Sequence, residues 1–244
     1  IAEEQKRYDV AIERYKQVGE GERAWLAKLR IAAMYGKLGK VDEGRRWLAD
    51  LPAVTIEQRI QVRQAEASLL RESGDQAGAY ALLEKGLAEH PDSPDLLYDS
   101  AMVAEKLGRI DVAEARLRRL IELKPDDAQS LNALGYTLVD RTTRIDEGRA
   151  LIEKALKLAP DDPFILDSMG WALFKLGRYD EAETYLRRAL ANRPDAEIAA
   201  HLGEVLWNKG ERERAKEVWA AQLKDSPDHP VLLETVRRFK GSEP

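Results

Sequence analysis

The 244-residue chain contains no cysteine. That absence excludes disulfides, thiolate metal sites and a cysteine nucleophile together, while leaving the redox compartment open. Histidine is scarce, at three residues, His90, His201 and His229. No His-Glu-x-x-His order occurs, so the ligand set of a zinc protease is missing. A Gly-rich phosphate loop, a Gly-x-Ser-x-Gly elbow and a dinucleotide fingerprint are missing too. Nor is there a surplus of basic charge: 39 Lys and Arg stand against 44 Asp and Glu, for a net charge of -5. A phosphate-backbone binder would need the opposite balance, so no nucleic-acid partner is expected. No apolar run approaches the roughly 18 residues of a membrane-spanning helix, and no basic-then-apolar leader opens the sequence. Direct membrane insertion by this stretch is therefore not expected. The chain starts at Ile1 without a methionine, and the expectation is that the natural protein continues upstream.

What is present is charge and a period. Charged residues make up 34% and hydrophobic residues 44%, a mixture suited to long surface helices more than to buried parallel sheet. Pro91, Pro125, Pro160, Pro194 and Pro227 recur at intervals of 34, 35, 34 and 33 residues. Ahead of each lies a small residue: Ala67, Ala101, Gly135, Gly170 and Gly203. A second small mark follows at Ala79, Ala113, Gly148, Ala182 and Ala215, with a large apolar residue four positions on at Leu83, Leu117, Ile152, Leu186 and Trp219. Ala32, Gly44 and Leu48 give a further copy without its proline, and Ala11 with Tyr15 gives half of another. Small residues let two helices approach, the large ones fill the space beside them, and proline ends the second helix. Gly39, Gly74, Gly108, Gly177 and Gly210 supply the left-handed turn between the helices. The fourth full copy lacks this glycine and reads Asp140-Arg-Thr-Thr-Arg144 with one residue more, which predicts a wider turn.

This pattern resembles the tetratricopeptide repeat, a helix-turn-helix unit of about 34 residues. The resemblance implies an all-α fold, a right-handed superhelical solenoid of antiparallel helix pairs. The expected organisation is the second helix of an incomplete incoming repeat at 1–21, six repeats over 22–228, and a C-terminal capping helix and tail at 229–244. The cap follows from HPVLLETVRRF, apolar on one side and charged on the other, as closing an open stack requires.

Each chemical candidate has a plain structural alternative. Asp126-Asp127 and Asp161-Asp162 could be paired carboxylates, but they recur at the phase where a helix cap is needed. His201 lies on one helix face with Glu197 and Glu204, a conceivable divalent-metal set that lacks a second histidine. Alternating charges such as Glu211-Arg-Glu-Arg214 read as a solvated face. No catalytic residue, cofactor site or metal site is expected, and the chain reads as a non-enzyme.

The sharper expectation comes from the family. Its concave surface is lined by the first helix at positions three before, one after and four after the small mark. Carried over, these are Tyr98, Met102 and Glu105, then Asn132, Tyr136 and Val139, then Asp167, Trp171 and Phe174, then Ala200, Glu204 and Trp207, with Phe164 one turn before Asp167. Tyr136, Trp171, Phe174 and Trp207 are expected anchors for a protein or peptide, and Asn132 and Asp167 polar selectors; the alternative is that the aromatics pack against neighbouring helices. The family's carboxylate clamp, with Asn after the small residue, is missing: Ala33, Ser68, Met102, Tyr136, Trp171 and Glu204 stand there.

LNALGYTLVDRT, ILDSMGWALFKLGRYDEA and EIAAHLGEVLWNKG resemble the C-terminal repeats of a proteobacterial tetratricopeptide lipoprotein family of the periplasmic side of the outer membrane. That resemblance implies an adaptor for a carboxyl-terminal processing protease whose targets include cell-wall hydrolases, in an outer-membrane-associated protein. A cytoplasmic location is the alternative. The competing function is self-association into a homo-oligomer through the N-terminal end or through the second and third repeats, where Glu66 and Ser100 replace the usual leucine.

Overall fold

The computed structural model describes residues 2–3, 5–19 and 21–240, so part of the tail, 241–244, lies outside the described residues. Among the described residues there are fourteen α-helices and no strand. The chain divides into two compact units, Ile1–Leu123 and Lys124–Pro244.

The first unit contains α1 (Tyr8–Lys16), α2 (Glu22–Lys37), α3 (Val41–Ala49), α4 (Ile56–Glu72), α5 (Gln76–Glu89), α6 (Pro94–Lys106) and α7 (Ile110–Leu123). Helices α2, α4 and α6 follow one another as neighbours, and α3 and α5 bridge successive members of that row. Leu83, Leu96, Leu97 and Leu120 are buried together around Ala67 and Ala79, and each fully buried leucine stabilises by about 2 kcal/mol. The two departures from leucine are compensated. Ser100 is completely buried, and its hydroxyl donates to Glu84 at 2.8 Å, which also accepts from Arg116 at 3.0 Å. Glu66 pairs with Arg45 at 2.9 Å. A polar residue fits at these positions because its partner comes from a neighbouring helix.

The second unit contains α8 (Ala128–Arg141), α9 (Ile145–Leu158), α10 (Pro163–Lys175), α11 (Tyr179–Asn192), α12 (Ala196–Asn208), α13 (Arg212–Asp225) and α14 (Pro230–Lys240). Here α8, α10, α12 and α14 follow one another as neighbours, and α9, α11 and α13 each contact the two helices that flank them in sequence. The small marks set the closeness of each pair. A Cβ on Gly135 would come within 2.7 Å of the Gly148 carbonyl, and one on Gly170 within 2.6 Å of Leu186.

Gly177 has φ 74° and closes α10 with two bonds, its own N–H to the Phe174 carbonyl and that of Arg178 to Leu173, both at 2.9 Å. The glycine-free connector after α8 is not wider. Residues 142–144 are as few as 176–178, and the extra residue lengthens α8 to 14 residues against 13 for α10. Thr142 takes the glycine's place: its hydroxyl donates to the Leu138 carbonyl at 2.6 Å and accepts from Arg144 N–H at 3.0 Å. Asp127, Asp162 and Asp195 cap α8, α10 and α12 through backbone N–H groups. Asp92 instead pairs with Arg119 at 2.8 Å, and the Ser93 cap of α6 makes no side-chain bond.

Candidate functional site

In the second unit, α8, α10 and α12 carry the expected contact residues, and a buried group sits at their centre. The Nδ1–H of His201 on α12 donates to the Asp167 carboxylate of α10 at 2.9 Å. The imidazole stacks on the Trp171 indole with centroids 4.2 Å apart, and Tyr136 of α8 approaches to 6.4 Å. Trp171 donates its indole N–H to Asp140 of α8 at 3.0 Å, and the Lys175 ammonium lies over the same ring at 4.8 Å. Three helices are thereby joined through one indole and one imidazole.

Two expected roles change on this geometry. Trp171 is 6% exposed and Asp167 8%, so neither stands open to a ligand. The indole is covered because His201 lies over it, and the carboxylate is occupied by that same histidine. His201 with Glu197 and Glu204 does not form a metal set either: no group of three or more His, Asp and Glu suited to a metal exists among the described residues. Glu204 is engaged by Arg238 of α14. Burial alone would lower the His201 pKa; the Asp167 carboxylate, with Glu204 and Glu197 at longer range, outweighs it and holds the imidazole above its ordinary value.

The remaining aromatics of these helices are more accessible. Phe164 at the start of α10 is 47% exposed, with the Arg193 guanidinium 5.1 Å from its ring centre. Phe174 and Tyr136 are half-buried; Phe174 packs beside Trp171 at 5.0 Å and Tyr179 at 5.7 Å. Half-buried Trp207 belongs to a second aromatic group, with Trp219 at 5.9 Å and Phe239 of α14 at 5.4 Å, and Arg212 lies 5.2 Å from its ring centre. Asn132 is half-buried, and its Oδ1 is buried without a hydrogen-bond partner. Tyr98 and Met102 lie on α6 in the first unit, both half-buried, and Tyr98 packs on the leucine core of that unit.

The sequence reading missed His201 as the centre of this arrangement, and with it Asp140 and Lys175. The family positions pass it over: His201 stands two residues before the Gly203 mark, whereas Asp167 stands three before Gly170, so the repeat register matches Asp167 with Ala200 and not with the histidine that bonds it.

Residues 70–135, 126–195 and 168–230 each match the tetratricopeptide repeat family. The chain is 44% identical over 243 residues to the TPR repeat-containing protein PA4667 of Pseudomonas aeruginosa, covering all of this chain and 41% of that relative. Among solved structures it is similar to a tetratricopeptide repeat protein from Parabacteroides merdae, with a TM-score of 0.74 at 16% identity over 97% of this chain and 93% of that one. It is also similar to the thermophilic TPR protein TTC0263 of Thermus thermophilus, with a TM-score of 0.67 at 24% identity over 74% of this chain and 97% of that one. At these identities the two structures establish the fold alone. The chain belongs to the tetratricopeptide repeat family.

Proposed function

We propose that this chain is a non-catalytic adaptor whose second unit holds a segment of a partner protein against α8, α10 and α12. The observation that carries this reading is the division of labour among the aromatics. Trp171 and His201 are held in place by Asp140 and Asp167, while Phe164, Phe174 and Tyr136, and Trp207 in its separate aromatic group, keep part of their rings accessible. Rings fixed by packing lose little conformational freedom on binding, which is what an anchor requires. Glu204 of α12 is a secondary contact in this reading.

The partner class we propose is a carboxyl-terminal processing protease or its cell-wall hydrolase substrates, at the periplasmic face of the outer membrane, on the strength of the resemblance of segments 131–142, 165–182 and 197–210. Calorimetric titration of the chain with such a protease tests it. Phe174→Ala and Trp207→Ala should each weaken binding by on the order of 2 kcal/mol, about thirtyfold. Unchanged affinity in both variants, with unchanged helical content, rejects the assigned face.

A further inference from the structure

We propose that the first unit carries a separate docking site, at the edge where α5 leads into α6, for a basic peptide segment bearing aliphatic side chains. A recess of about 590 Å³ lies there, within the roughly 300–1,000 Å³ of ordinary ligand clefts. Ile56, Ile60, Pro91 and Pro94 give it apolar walls. Ile56 is 53% exposed, and Val54, two residues earlier in the extended connector before α4, is 78% exposed. Exposed apolar side chains thus run from the connector into the recess, a layout that suits an elongated chain better than a compact molecule.

The charge at the mouth selects the occupant. Four carboxylates line it: Glu57, Glu89, Asp92 and Asp95. Two are neutralised, Glu89 by Arg63 at 3.2 Å and Asp92 by Arg119 at 2.8 Å. Arg59, the other nearby cation on α4, is turned to the Val54 carbonyl at 2.8 Å. Glu57 and Asp95 are exposed and make no ion pair among the described residues. Each sits in the first turn of its helix, where the dipole offsets roughly half a charge. The remainder faces solvent beside the isoleucines, and a lysine or arginine flanking an aliphatic side chain complements both features at once. A nucleic acid is repelled by the same charge, and a simple polyamine would leave the apolar walls bare.

The test uses the full chain and a fluorescein-labelled dodecapeptide alternating lysine with leucine, with a glutamate-leucine peptide as control, read by fluorescence anisotropy. The lysine peptide should bind, about tenfold more weakly to Ile56→Ser and to the Glu57→Lys/Asp95→Lys double variant. The charge-reversal effect should shrink as salt rises from 0.05 to 0.5 M, as flagged by a Debye length falling from roughly 10 Å near 0.1 M to about 3 Å at 1 M. Val54→Ser, on the connector, supplies the same reading if a substitution in α4 perturbs folding. Phe174→Ala/Trp207→Ala should leave this binding intact, which separates it from the face on the second unit. The proposal is overturned if the peptide does not bind, if the glutamate peptide binds as well, or if only the Phe174/Trp207 variant loses binding. It is equally overturned if sedimentation shows the chain self-associating through Ile56, because the occupant is then a second copy.

Discussion

Replacing His201 by glutamine separates the charge of the buried imidazole from its volume, and the consequence is a pH-dependent loss of stability. In the native unit the ring is 13% exposed at its side chain and faces Asp167 at 2.9 Å, with Trp171 beneath it, Tyr136 at its edge, and Glu197 and Glu204 on its own helix. A charge-assisted hydrogen bond in such a site contributes about 2 kcal/mol. Because the folded pKa is raised, that contribution is fully present below the unfolded value near 6.5 and fades as pH rises through the folded one. His201→Gln should therefore lower the stability of the second unit by about 2 kcal/mol at pH 5.5, and by distinctly less at pH 9. A repeat protein need not unfold in one step. The suitable assay is therefore native-state hydrogen exchange of α10 and α12 amides at the two pH values, corrected for intrinsic exchange. An equal loss at both pH values, or none at either, refutes the claim that a charged His201–Asp167 pair joins these helices.

Two further outcomes follow from named contacts. Gly203→Ala gains about 1 kcal/mol of helix propensity, but its Cβ would overlap the Trp219 indole, which Trp207 and Phe239 hold from behind. Overpacking at about 1–3 kcal/mol wins, so chemical denaturation should show a destabilised C-terminal part and not the gain expected at an open helical site. Glu183→Gln should flatten the acid limb of stability. Burial pushes the Glu183 carboxyl up, but Lys209 at 2.6 Å and Arg187 at 2.7 Å outweigh it and hold the group at about 2. Its stabilisation, about 2 kcal/mol, is present above pH 4.5 and fades as pH falls toward 2 in the parent only, as urea titrations across that range would record.

The helical architecture was legible because its determinants are periodic and local. Gly177 must turn left-handed where no larger residue sits easily, Asp162 can cap only the helix that starts beside it, and Gly135 and Gly170 announce close helix contacts. The connector after α8 was misread because a threonine hydroxyl can satisfy the carbonyl that glycine geometry would have served, leaving the surplus residue to extend the helix. Accessibility was harder to read than position. Family spacing put Trp171 and Asp167 on the first-helix face, but only the identity of residue 201, on the next first helix, decides that both are covered. The Ser100–Glu84–Arg116 set escaped for a similar reason: its members belong to α5, α6 and α7, and no consensus position names all three.

The central claim, that the first helices of the second unit present the partner-binding face, is tested most directly by site-specific photocrosslinking to the captured partner. A benzophenone amino acid placed at Phe174 or Phe164 should crosslink, whereas one at Leu158, exposed at the end of α9, should not. Crosslinks from Leu158 with none from Phe164 or Phe174 would contradict the account.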